Sequence, residues 1–181
     1  DFNRLKNTIV EGFKNSKEIF VVHFKEKYGD SHKFLPLWMA GEIISFGATL
    51  TVYRGVSDDI KKEIAAIYGM SDKVFTSWLQ TINAIRNICA HHSRLWNREL
   101  GVKPLIPRKN KFPQWHEPIL IPQNRIFGVL TIFNYLLKII APQSKWRSRL
   151  FDLLDEYSEI SRWSMGVPDG WEKSSLWKDR K

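Results

Sequence analysis

Apolar residues recur every three to four positions along nearly the whole of this 181-residue chain. That period gathers them on one face of an α-helix, and no stretch shows convincing strand alternation, so the chain reads as all-α. Residues 2–14 put Phe2, Leu5, Ile9, Val10 and Phe13 on one face. Ser16 is placed to cap a second helix carrying Ile19, Phe20, Val22 and Phe24, with Gly29 at its end. After Pro36 the segment Leu37–Tyr53 is apolar almost all round and reads as one central buried helix. Ser57-Asp58-Asp59 opens a short helix that stops near Tyr68-Gly69, and Ser71-Asp72 opens the next. That helix carries Val74, Phe75, Trp78, Leu79, Ile82, Ile85 and Ile88.

The period then breaks. Residues 101–122 hold Gly101, Pro104, Pro107, Pro113, Pro118 and Pro122, a density no helix interior accepts, because proline lacks the N–H and clashes with the preceding turn. This reads as a long loop or lid. Helix resumes over about residues 123–140, and a last helix covers about 145–160. The tail, residues 162–181, places Trp163, Trp171 and Trp177 to dock back on the body. The length suits a single domain over 1–181.

Charge is the other constraint. The net charge is +9, and residues 86–125 alone carry 8 basic and 2 acidic side chains. A focused excess points to a polyanionic partner such as RNA, DNA or an acidic lipid surface; a solvated basic face is the alternative. Cys89 is the sole cysteine, so no internal disulfide forms, which fits a reducing cytoplasmic setting. No apolar run approaches the roughly 18 residues of a transmembrane helix, so no membrane partner is expected.

The chemistry-bearing segment is Asn83 to Arg98, where an apolar helix suddenly presents Arg86, Asn87, His91 and His92. Asn87 and His91, four apart, share a helical face, whereas Arg86 and His91 stand about 140° apart around the axis. A second subunit packed on this helix would bring two such pairs together. Histidine moves protons near neutrality and arginine offers a forked, permanently charged donor set to phosphate oxygens. In RNA the 2′-hydroxyl can attack its own adjacent phosphorus, a reaction that needs proton transfer and charge stabilisation and no metal. Only Glu99 and Glu117 lie within 86–125, so no carboxylate cluster for Mg²⁺ is visible there. Cys89, His91 and His92 do not share one side of a helix and have no CxxC or HExxH partner, so no metal site is expected.

Arg86 to His91 matches the R-x4-6-H motif of HEPN-domain ribonucleases. The longer string, Arg86-Asn87-Ile88-Cys89-Ala90-His91-His92-Ser93-Arg94-Leu95-Trp96-Asn97-Arg98, resembles the Abi-like family of bacterial abortive-infection proteins. Pro36-Leu37-Trp38, Ser45-Phe46-Gly47, Ile67-Tyr68-Gly69, Ser77-Trp78-Leu79 and Pro104 match in order, over about residues 20–140. The resemblance implies a HEPN-type helical bundle with a long proline-rich loop. It also implies a metal-independent, cofactor-free endoribonuclease site, composite across a homodimer. Arg86, Asn87 and His91 map onto the catalytic positions: His91 as acid/base, Arg86 as stabiliser of the phosphorane, Asn87 as the accessory polar residue. The implied products are a 2′,3′-cyclic phosphate and a 5′-hydroxyl. The implied setting is a toxin in phage defence, restrained in some members by a small noncoding RNA. Family members carry further helical sequence upstream, which implies that this chain lacks an N-terminal part.

Around that pair, Arg94 and Arg98, four apart on one helical face, are read with His92 as RNA contacts. Lys103, Arg108, Lys109 and Lys111 form a mobile basic strip in the proline-rich loop. Trp96 and Trp115 are candidates for base stacking, with core packing the competing role for Trp96. A buried structural Arg–His pair, a HEPN-fold module that binds RNA without cutting it, and a protein-interaction domain all remain open at this point.

Overall fold

The computed structural model describes residues 2–178. Among these it has eight α-helices and no strand, as the periodicity requires. In order they are α1 (Phe2–Asn15), α2 (Ile19–Tyr28), α3 (Leu37–Ile43), α4 (Phe46–Gly55), α5 (Asp58–Ile67), α6 (Asp72–Ala90), α7 (Ile126–Ile140) and α8 (Trp146–Glu156). Short 3-10 turns lie at Pro113–Trp115, Trp163–Met165 and Trp171–Lys173. The chain forms two compact units, residues 1–57 and 58–181.

In the first unit, Val21 and Phe24 of α2, Leu35 of the following loop and Ala40 of α3 are buried together. Ile9 and Phe13 of α1 pack against them, with Phe20, Met39 and Ile43. The side chains of Phe2 and Leu5 lie outside the described residues. Two local readings are corrected here. Ser16 does not cap α2: Glu18 is the N-cap, and the Ser16 hydroxyl accepts from the Glu18 N–H at 3.3 Å. The expected single helix over 37–53 is two. Ile44 and Ser45 are extended, and the Ser45 hydroxyl accepts from the Ala48 N–H at 3.2 Å, starting α4 afresh. A serine cap has overridden an unbroken apolar run. Leu37 and Trp38, each 77% exposed, are therefore not in a core.

The second unit is organised around α6, which packs against α5 and α7. Tyr68-Gly69 ends α5 as expected: the Met70 N–H bonds the Ala65 carbonyl, the Gly69 N–H bonds that of Ala66, and Gly69 takes a φ of +66°. Ser71 caps α6 by accepting from Val74 N–H. Phe75, Trp78, Thr81 and Ile85 are the buried stripe of α6. Ile85 meets Ile126 and Val129 of α7 and Leu100 of the connecting loop, with Ile88, Leu95 and Leu130 around them.

The proline-rich loop contains no α-helix. It is a strap rather than a lid. The Trp78 indole N–H donates to the Leu105 carbonyl at 2.8 Å, and the Leu105 N–H donates to Ser77 Oγ at 2.9 Å. Pro104, Pro107 and Trp115 are fully buried, with the Trp115 ring 5.2 Å from Trp78 and 5.8 Å from Tyr135. Tyr135 donates to the Tyr68 carbonyl at 2.9 Å, and burial raises its phenol pKa above the usual value. The strap then runs so close to α7 that a Cβ on Gly128 would stand 2.0 Å from the Pro122 carbonyl oxygen. In the tail, Trp171 and Trp177 are buried against Phe127 and Phe151, as the sequence suggests. Trp163 does not dock; it is 81% exposed.

Trp78 and Trp115 give a paired test of the strap. The Trp115 Nε1 is buried with no hydrogen-bond partner among the described residues, whereas Trp78 carries the bond to Leu105. Trp78→Phe should therefore cost about 1 kcal/mol more than Trp115→Phe, read by equilibrium urea unfolding.

Candidate nucleic-acid site at the end of α6

Packing of Ile85 and Ile88 inward turns the intervening polar side chains outward. Arg86 and Asn87 are both exposed, and Arg86 Nη1 donates to Asn87 Oδ1 at 3.2 Å. His91 is exposed at the C-cap; its N–H bonds the Asn87 carbonyl at 3.0 Å, which keeps the four-residue relation between the two although α6 stops at Ala90. The Arg–His pair is thus not a buried structural pair. Helix geometry separates the two by about 7.5 Å along the axis and about 140° around it.

The helix ends as α5 does, but without glycine. The Ser93 N–H bonds the Ile88 carbonyl, the His92 N–H bonds that of Cys89, and His92 holds the left-handed position at a φ of +52°. Among the described residues it is the only non-glycine with a positive φ. A side-chain-bearing residue there stores strain of order 1 kcal/mol, and such strain concentrates at functional sites. The turn leaves His91 exposed at the helix end.

Beyond His92 the chain is not helical, so Arg94 and Arg98 do not share a helical face. A turn closed by the Arg98 N–H on the Leu95 carbonyl, 3.1 Å, brings them to one cavity of about 340 Å³ with Asn97 and Glu99. Lys103 donates to Glu99 at 2.8 Å and, with a smaller contribution from Arg125, holds that carboxyl below its ordinary pKa. Lys109 meets Glu117 at 2.6 Å and lowers that carboxyl in the same way. Arg108 and Lys111 are exposed and have no acidic partner among the described residues. Two of the four charges of the basic strip are therefore paired, and the strip is carried on the strap. Trp96 is 41% exposed, so it is not a core residue, and buried Trp115 has no face free for a base.

Sequence reasoning gave no role to three residues that belong here. Asn83 lies one turn before Arg86 and Asn87, with Oδ1 buried and unpartnered among the described residues. Its three- and four-residue spacing from that pair was the available signal. Asn97 accepts from Arg125 Nη1 at 3.0 Å across 28 residues, a link no local pattern reveals. Among the described residues no group of three or more His, Cys, Asp or Glu side chains is arranged to hold a metal ion, and no helix is long and apolar enough to cross a membrane.

An all-helical chain with an exposed Arg-Asn-x-x-x-His at a helix end is the class the structure defines. By sequence the chain belongs to the Abi-like protein family, whose model matches residues 1–97, just over half its length. The match starts well before residue 20 and stops before the strap, and it includes Arg86, Asn87 and His91. No curated protein and no solved structure matches the chain. The family suggests a part in abortive infection, the defence of bacteria against phage.

The left-handed turn predicts a contrast at His92. Glycine fits that backbone, so His92→Gly should stay within about 1 kcal/mol of the parent, whereas His92→Val should cost about 1–3 kcal/mol. Chemical denaturation of the three proteins reads both.

Proposed function

We propose that this chain is a metal-independent endoribonuclease that acts as a toxin in abortive infection. The observation that carries the reading is the exposed Arg86–Asn87–His91 group at the end of α6, followed directly by an exposed basic segment. In the proposed reaction a 2′-hydroxyl attacks its adjacent phosphorus. The His91 imidazole of one copy takes the 2′-proton, and the imidazolium of His91 in the other copy delivers a proton to the departing 5′-oxygen. Arg86, oriented by Asn87, stabilises the charge on the phosphorane oxygens. The P–O5′ bond breaks, leaving a 2′,3′-cyclic phosphate and a 5′-hydroxyl. Because Arg86 and His91 diverge around the helix, the site is completed by a second copy packed on α6 about a two-fold axis. His92, Arg94, Arg98, Lys103, Arg108, Lys109 and Lys111 would meet flanking phosphates; all are exposed. The same surface would receive a restraining noncoding RNA.

The test is cleavage of a mixed RNA pool in EDTA by a protein that sediments as a dimer. Arg86→Ala and His91→Ala should each lower the rate by about 10²–10⁴-fold, the usual range for a lost proton-transfer group. Equal activity in all three proteins, or activity abolished by EDTA, would overturn the reading. RNA binding without cleavage in every version would leave a binding module instead.

A further inference from the structure

The cavity of Arg94, Asn97, Arg98 and Glu99 lies outside the Arg86–His91 pair and has its own chemistry. It is an open surface depression of about 340 Å³ whose four lining side chains are all exposed. Arg94 and Arg98 have no acidic partner among the described residues. Glu99 is the one acid in the lining, and Lys103 pairs with it at 2.8 Å and holds it ionised. Asn97 has its carbonyl oxygen engaged by Arg125, so the N–H donors of its amide are what it has left to offer. Beside that paired carboxylate the cavity offers two guanidiniums and an amide N–H pair, donors that suit the oxygens of a phosphate.

The frame is fixed on both sides. Leu95 packs into the α6–α7 core, and the Leu100 N–H donates to the Asn124 carbonyl at 2.9 Å. Arg125 is itself the N-cap residue of α7, so the Asn97–Arg125 bond ties the cavity wall to that helix. The turn at Leu95–Arg98 follows Arg94 directly, and Arg94 and Arg98 both line the cavity.

We propose that this cavity is a phosphate subsite, in which Arg94 and Arg98 grip a backbone phosphate of single-stranded RNA flanking the one that is cut, with Asn97 as a third donor. This rests on the nuclease reading for the word "cut" but not for the binding itself. Arg125 acts through Asn97 as a positioning residue.

The experiment uses the full chain with His91→Ala, so that the probe survives, and a short labelled single-stranded RNA titrated over a range of salt. Adding Arg94→Gln with Arg98→Gln should weaken binding about tenfold and flatten the slope of log K against log salt by about 0.7, the change for one lost phosphate. Removing two charges from α5 with Lys61→Gln and Lys62→Gln should change the slope little. Equal slopes in the parent and the double arginine variant, or equal losses in both double variants, would overturn the subsite. So would displacement of the RNA by low-millimolar inorganic phosphate at constant ionic strength in the parent alone, which would assign the cavity to a free anion. Arg125→Gln should raise the Kd less, and leave the slope nearer the parent's than the double variant does. The two readings separate cleanly. A parent with His91 that cuts no RNA, together with the slope difference, removes the nuclease and keeps the subsite. A parent that cuts RNA, with an arginine double variant of unchanged KM and slope, removes the subsite and keeps the nuclease.

Discussion

Everything at the candidate site depends on the buried stripe of α6. Phe75, Trp78, Thr81 and Ile85 recur at three- to four-residue steps, and their burial fixes the rotation of the helix about its axis. Once Ile85 and Ile88 face Ile126 and Val129, residues 86 and 87 have no direction left but outward. Burying a large apolar side chain is worth about 1.5–3 kcal/mol, far more than a surface contact of Arg86 could supply. The polar group is thus displayed by the core beneath it and does not hold itself in place. The strap serves the same end, since Trp78 donates to the Leu105 carbonyl from that same buried stripe.

Much of this was legible because the decisive signals were local. Ser71 and Gly69 mark helix ends by backbone chemistry that any reader of the sequence can apply, and both act as expected. The apolar stripe of α6 fixes which neighbours are exposed. Local signals also compete, and there the reading failed. The run 37–53 is apolar enough for one helix, but Ser45 offers a cap in its middle, and the cap prevails. Trp163 has the composition of a core residue and lies in a tail that does dock, yet the rings that anchor the tail are Trp171 and Trp177. Those two rings pack on Phe127 and Phe151, and long-range hydrogen bonds from Trp177 Nε1 to Thr131 and from Asn134 Nδ2 to the Leu176 carbonyl hold the same segment; no periodicity announces these contacts.

The same division holds at the site. Arg86, Asn87 and His91 stand out as polar side chains on an apolar helix, and the family resemblance is what gives them roles; all three are exposed. Arg94 and Arg98 were grouped for the wrong reason, a continued helix, and meet instead through a turn that follows the left-handed His92. Histidine signals that conformation only weakly, whereas glycine signals it strongly. The basic segment is also less uniform than its charge count: Glu99 and Glu117 each take one lysine, leaving Arg86, Arg94, Arg98, Arg108, Lys111 and Arg125 without an ion pair among the described residues.

The central claim is that this surface performs phosphoryl transfer with an RNA 2′-hydroxyl as nucleophile, and the ends of the products report that most directly. RNA cut by the purified chain should carry 2′,3′-cyclic phosphate at one new end and 5′-hydroxyl at the other, read by mass spectrometry and by enzymatic labelling of the termini. Products with 5′-phosphate and 3′-hydroxyl ends would show that water, not the 2′-oxygen, attacks the phosphorus, and would contradict the account.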